Sequence, residues 1–417
     1  MLFLSPVVPA AHGNGLAMRV GFFLQAYARL FDVDLAVFPI VATPAGAIAF
    51  AQRFAARTTI FPQPGIDAHF RLVAAIDEPG ARIDAFRRFG RPSIAAFSAE
   101  RARRALTDWA EAAAYDIVHV SRLYLGDLAA QWTAAARPPP RAMVLDCDED
   151  DAKTYRRLAA RDRGEGRQQA ATWAEAEADA FARLAQGILP RFDLTFVASA
   201  KELSSLSAWT PRIEVVPNVP PQVTRRNRCP IRRQGKTILF VGTMGYAPND
   251  DAARWMILRV LPQLRRACSA PVKLMVIGSH PGAMLRRLGR RRDVTITGTV
   301  RDLNAYYRRA DLAVIPLRVG SGTRIKLLEA AISGVPVVST GLGAEGTAFR
   351  HGRDLLIANG AQQFARHCAQ LLRDSRYARS LAARADRRIA WGYDRAHWSR
   401  RIAERVAALA ADRRAGG

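Results

Sequence analysis

The stretch GSGTRIKLLEAAISGVPVVSTGLGAEG, residues 320–346, concentrates side chains that can hold a charged ligand. The strand-like run DLAVIPL precedes it. A helix is expected from about Thr323 to Gly334, where a glycine stops it, and VPVVST is the next strand. The glycine turn therefore joins the carboxyl end of a strand to the amino end of a helix, which is where open α/β sheets bind ligands. Free N–H groups and the positive end of the helix dipole favour an anion there. Gly320 and Gly322 permit close backbone approach, Thr323 adds a hydroxyl, and Arg324 can make a two-pronged bond to phosphate. No Gly-Lys-Ser/Thr follows, so this is not a Walker loop. Ile325, Leu328 and Ile332 are expected to form the core stripe of the helix, with Glu329 among Leu327, Leu328, Ala330 and Ala331. A carboxylate in that setting costs free energy unless it is bonded. It is either a weak helix-surface pair with Lys326 or an acceptor for two ribose hydroxyls beside a diphosphate.

Other residues invite chemistry less directly. TILFVGTMG places a second glycine turn, containing Gly242, after a strand; Asn249 reads as a helix N-cap with Asp250 and Asp251 in the first turn. GNGLAMR brings Gly13, Gly15 and Arg19 to the start of a helix, but Met18 occupies the third glycine position of a dinucleotide fingerprint. Arg19 is either a solvated helix residue or a ligand contact. In DIVHVSRLYLG, His119 at a strand end is either a core histidine or a group near the reacting centre; Ser121 is the alternative site position, and Arg122 a contact for acceptor or phosphate. DCDEDD, residues 146–151, could hold Mg²⁺ or Mn²⁺ through Asp146 and Asp148. The same acids suit the start of the following helix, or could bind an acceptor.

These residues need a scaffold that ends strands in loops. LFLSPVV, VDLAVFPI, DIVHV, RAMVLD and FDLTFVAS form one series of short apolar strands; TILFVGTMG, VKLMVIGS, VTITGTV, DLAVIPL and VPVVST form another. Helical patterns separate most of them, which argues for two α/β domains, each a doubly wound parallel sheet. The Pro- and Arg-rich run from Pro217 to Lys236 reads as a linker. The expected organisation is a domain at 1–218, a linker at 219–235, a second domain at 236–390, and a C-terminal helix within 391–417 that can pack back on the first domain. Residues 151–187 read as one or two long helices, and the strands of residues 70–104 cannot be assigned.

The 417 residues carry a net charge of +25, and only five of the 62 basic residues are lysine. This field favours anionic partners: nucleotides, lipid surfaces or nucleic acid. The charge is scattered and no nucleic-acid motif is present, so no nucleic-acid partner is expected. No run reaches the ~20 apolar residues of a membrane helix, and the N-terminus lacks the basic head of a signal peptide. A cytoplasmic protein is expected. The four cysteines are far apart and propose neither a disulfide framework nor a zinc cluster.

The opening stretch, together with FVGTMGYAPNDDA, VTITGTVRDLNAYYRRADLAVIPL and RIEVVPNV, resembles the family 4 (group 1) retaining glycosyltransferases. The resemblance implies a GT-B fold, two Rossmann-like domains facing each other across a cleft. It implies transfer of a sugar, as in a hexosyltransferase, from a nucleoside-diphosphate sugar to a glycan or lipid-linked acceptor, in exopolysaccharide or lipopolysaccharide synthesis. Glu329 matches the family's ribose-binding glutamate. The family's first glutamate falls on Ser321, which with backbone amides would then face the donor sugar. The donor site would further include Gly13, Gly15 and Arg19 on the phosphates, Gly298 and Val300 near the base, and Gly242, Gly320, Gly322, Thr323, Arg324, Lys326 and Glu345. His119 and Ser321 would serve the reacting centre, with Ser121, Arg122, Asp146 and Asp148 on the acceptor side. Two predicted sheets speak against the metal-dependent GT-A architecture, so no metal or other cofactor is expected; the leaving phosphate would take the acceptor's proton. FRRFGRP and MLRRLGRRR are candidate contacts with an anionic membrane, on its inner face. Two rivals stay open: a nucleotide-sugar epimerase on the same fold, and a non-catalytic basic binder of nucleic acid or polysaccharide.

Overall fold

Near-continuous apolar strands need cover on both faces, and the chain supplies it by placing helices between most of them. The structure, a computed structural model, describes residues 1–40, 48–62, 65–97, 99–110, 113–220, 235–300, 302–320 and 325–412. Two compact units emerge: Met1–Pro217 with Ala396–Gly417, and Asn218–Arg395.

The first unit is built on β1 (Leu2–Ser5), β2 (Asp34–Val37), β3 (Arg57–Ile60), β4 (Ile117–Ser121), β5 (Ala142–Asp148), β6 (Leu194–Val197) and β7 (Ile213–Val215). The order is β3-β2-β1-β4-β5-β6-β7, and the paired strands are parallel. Strand order reverses between β1 and β4, so the loops after those two strands flank the switch point. Both strands are buried along their whole length. The edge strands β3 and β7 are new relative to the sequence reading. Their sequences, RTTI and IEV, are short and only partly buried, and they carry little of the apolar signal that marks central strands.

The segment left unassigned by the sequence holds the helices Ala68–Ala74, Pro79–Phe89 and Ala99–Ala110. Ile83 and Phe86 pack on Ala176 and Ala180 of the helix Gln168–Ile188, which pairs with the helix Asp151–Gly164. The last helix, Arg395–Asp412, buries Ile402, Ala403, Val406 and Leu409, and Arg405 pairs with Glu214 of β7.

The second unit comprises β8 (Lys236–Val241), β9 (Val272–Ile277), β10 (Val294–Ile296), β11 (Leu312–Ile315), β12 (Val337–Ser339) and β13 (Leu356–Ile357), ordered β10-β9-β8-β11-β12-β13 and parallel. Here the switch point lies between β8 and β11. Two glycines are required by geometry. Gly278 has φ 155°, and a Cβ on it would stand 1.6 Å from the Gly242 carbonyl oxygen, so the loops after β8 and β9 touch through bare backbone. Gly334 has φ 66° and closes the helix Ile325–Ile332. Its N–H bonds Ala331 O while Val335 N–H reaches Ala330 O, the paired bonds of a Schellman cap. Among the described residues no helix is long and apolar enough to cross a membrane.

Candidate functional site

In the second unit, the loops at the switch point carry the residues singled out above. Ser321, Gly322, Thr323 and Arg324 lie outside the described residues. Gly320, after β11, has φ 113°, and the described helix starts at Ile325. The expected stripe is displaced. Leu327, Leu328, Glu329, Ala330 and Ala331 are all buried, while Ile325 and Ile332 are only half-buried. Cover from both sides, rather than one apolar face, therefore takes Glu329 inside to 7 % exposure.

Its partner is not the surface pair weighed from sequence. The hydroxyl of Tyr307, from the helix Leu303–Arg309, donates to Glu329 Oε2 at 3.2 Å. Burial pushes the carboxyl up from 4.5 to about 7, against the Tyr307 bond and the nearby Lys326 charge. One hydroxyl does not saturate a carboxylate, which has acceptor capacity for about four bonds.

Lys326 turns towards the other side of the switch point. Its Nζ donates to Asn249 Oδ1 at 2.6 Å and stands 5.5 Å from the centre of the Phe240 ring. Asn249 is thus not the cap it resembles. The helix Ala247–Trp255 begins three residues earlier than that cap implies, with Tyr246 at the N-cap and Pro248 in the first turn. The freed Asn249 amide donates to Thr243 O at 2.9 Å. Gly242 makes this fit, since a Cβ there would lie 2.8 Å from Asn249 Cγ. Asn249 and Lys326 thus bridge the loops that follow β8 and β11. Arg318, a cation not singled out above, sits just after β11 and donates two hydrogen bonds to buried Asp251, from Nη2 at 2.6 Å and Nε at 3.0 Å. Its place at a strand end was the available signal. Gly298 faces open space and Val300 is half-buried against the core. Glu345 is half-buried at the end of the short turn Leu342–Ala344.

The first unit corrects several expectations. Arg19 is 2 % exposed rather than turned to a ligand: Nε and Nη2 clasp Asp146 at 2.8 and 2.7 Å, and Nη1 donates to Val216 O at 3.0 Å. Burial raises the Asp146 carboxyl against the pull of Arg19. Burial also opposes the Arg19 charge, but Asp146 and then Asp148 outweigh it. Asp146 therefore serves Arg19 and is not open to an acceptor. His119 is fully buried among Phe3, Phe23 and Tyr27, with Tyr27 Oη 3.0 Å from Nδ1. Burial, helped by the Arg19 charge, drops its pKa to about 3, so a neutral core imidazole replaces the expected reacting group. Ser121 is buried, and among the described residues its hydroxyl has no partner. Arg122 is held by Asp151 at 2.6 Å, Glu149 at 3.3 Å and Asp148 at 3.4 Å. Asp148, at φ 61°, also reaches Arg19 at 3.5 Å. The acidic run is thus occupied by arginines, and among the described residues no group of three or more His, Cys, Asp or Glu is arranged to hold a metal. Asn14 caps the helix Gly15–Tyr27 through bonds from Leu16 and Ala17 N–H, while Gly13 and Gly15 border open space.

Residues 235–374 match the family model of the glycosyl transferases group 1, so the second unit carries a glycosyltransferase domain. Over 165 residues the chain is 27 % identical to an uncharacterised 44.6 kDa protein in the cps region of Klebsiella pneumoniae; the match covers 38 % of this chain and 42 % of that one. Sucrose-phosphate synthase from Thermosynechococcus elongatus superposes with a TM-score of 0.69 at 15 % identity, covering 99 % of each chain. HepE of Anabaena, solved with UDP and glucose, gives 0.62 at 13 % identity, covering 98 % of this chain and 99 % of that one. Likeness at such identity speaks for the fold alone. That fold is GT-B, two α/β units each built on a parallel sheet.

Proposed function

We propose that the protein is a retaining, family 4 glycosyltransferase that moves a hexose from a nucleoside-diphosphate sugar to a hydroxyl of a lipid-linked or polysaccharide acceptor. The buried Glu329 carboxylate carries the reading. It stands one turn into the helix behind β11, inside the matched domain, and among the described residues only Tyr307 bonds its carboxylate, which leaves acceptor capacity over. In this proposal two ribose hydroxyls take that capacity, and Lys326, tethered by Asn249, neutralises the diphosphate. Ser321, Gly322, Thr323 and Arg324 enter from the sequence alone, as the turn that meets the phosphates and the donor sugar. Gly298 and Val300 border the base in this proposal.

The developing charge is met by fixed dipoles and cations, without a metal. HepE was solved with UDP, which makes uracil the first base to try. The relative in a cps region supports a cell-surface glycan as product, assembled on the inner face of the membrane. The test supplies UDP-sugars with and without a lipid or polysaccharide extract. Acceptor-dependent product of retained anomeric configuration, lost in Glu329→Ala and Lys326→Ala, is the expected result. Sugar isomerisation without acceptor identifies an epimerase instead, and salt-sensitive nucleic-acid binding without nucleotide-sugar affinity identifies a non-catalytic binder.

A further inference from the structure

The helix Ser375–Gly392 has two unlike faces. Ala378, Leu381, Ala382, Ala385 and Ile389 are buried. On the opposite side Arg376, Arg379, Ala383, Arg387, Ala390 and Trp391 recur at three- and four-residue spacing, and all are exposed. At 3.6 residues per turn these six share an arc of roughly 120°, and the stripe runs ~22 Å along the helix. Trp391, at its end, is 94 % exposed. Among the described residues, Arg376, Arg379 and Arg387 have no hydrogen-bond or ion-pair partner. The cations beside the stripe are used within the fold: Arg388 pairs with Asp354 at 3.0 Å, and Arg384 binds Arg353 O and Ser380 Oγ. The acids are likewise off the stripe. Asp374 caps the helix through Tyr377 N–H, and Asp386 is half-buried at the margin.

A tryptophan left in water contributes nothing to the fold, whereas its amphipathic ring favours the headgroup level of a bilayer. Unpaired arginines on the same face match anionic headgroups. We propose that this face docks on an anionic lipid bilayer, with the Trp391 indole inserted among the headgroups and Arg376, Arg379 and Arg387 on lipid phosphates. A single indole at the end of a helix offers no row of platforms for successive bases, which favours lipid over nucleic acid. This surface is distinct from the two arginine runs noted in the sequence: Phe86 of FRRFGRP is a core residue, and Arg291 after the helix Ala283–Leu288 lies 3.8 Å from Asp293. The inference gives the proposed membrane-side acceptor its means of approach, and its test contains no sugar, so the two can fail separately.

The full chain is sedimented with vesicles of phosphatidylglycerol and phosphatidylcholine, and with phosphatidylcholine alone, at low and physiological salt. Binding should require the anionic lipid and weaken with salt. Replacing all three arginines by glutamine should lower affinity on the order of a hundredfold, about fivefold each. Trp391→Ala should weaken it further without changing the salt dependence. Both variants alter only exposed positions, so an unchanged melting temperature accompanies the expected result. Equal binding to neutral vesicles, or unchanged affinity in both variants, overturns the proposal. So does a dimer that Trp391→Ala dissolves, which would make a second copy the occupant, or nucleic-acid binding lost with the same substitutions.

Discussion

If ribose hydroxyls bond Glu329, nucleotide binding must be linked to a proton. The folded carboxyl titrates near 7 against an ordinary 4.5. Because this acid's folded pKa is raised, its protonated form is favoured: the stability it contributes is full below 4.5 and is lost as pH rises through 7. Hydroxyl donors act in the opposite direction, since bonds to a carboxylate favour its charged form. If binding returns the pKa to 4.5, the free site at pH 6 is ~90 % protonated and the occupied site almost wholly ionised. Affinity at pH 6 should then be about tenfold weaker than at pH 8, with close to one proton released per nucleotide bound at pH 6 and little at pH 8. A nucleotide sugar is the right ligand, because its diphosphate is esterified at both ends and does not titrate in this range, unlike a terminal phosphate. Calorimetry in buffers of different ionisation enthalpy reads the proton directly. Glu329→Gln keeps the shape and the Tyr307 bond but should abolish both effects, and should resist urea better than the native chain at pH 8. Affinity independent of pH, or proton release that survives in Glu329→Gln, would refute the ribose assignment.

Three further outcomes follow from the geometry. Arg19→Ala or Asp146→Ala alone should cost about 3–5 kcal/mol in urea unfolding because each strands a buried charge, whereas Arg19→Met with Asp146→Leu together should lose far less; small single-variant losses would mean that water reaches the pair. Gly278→Ala should lose at least about 3 kcal/mol or fail to fold, since the new methyl meets the Gly242 carbonyl at 1.6 Å; a native melting temperature would contradict the close crossing of the two loops. The His119 ring resonances should not shift between pH 8 and pH 5. Its folded pKa of about 3 lies below the usual 6.5, so any stability it contributes is present above 6.5 and falls away in acid; a midpoint near 6 would return it to the list of reacting groups.

Which features were legible in the sequence depended on how far apart the interacting residues lie along the chain. The central strands LFLS, IVHVS and LAVI were readable because burial on both faces writes itself as a local apolar run. RTTI was not, because an edge strand borrows its pairing from β2 and needs no such run. The helix that carries Glu329 was readable from an oily segment stopped by a glycine. The reason the carboxylate is tolerated was not: Tyr307 is 22 residues away and resembles any core tyrosine. Arg19 and Asp146 are 127 residues apart, and each alone looks like a residue waiting for a ligand. The misread cap at Asn249 has a local cause. Asn-Asp-Asp imitates a helix start, but Pro248 suits the first turn and moved that start forward, releasing the amide to join Lys326. Polar groups near a strand end are therefore ambiguous from sequence until their long-range partners are known. Arg19, Asp146 and Arg122 proved to be one another's neighbours or near it, whereas Glu329 retains acceptor capacity that Tyr307 does not fill, and that residual capacity is the physical basis for assigning it to a ligand.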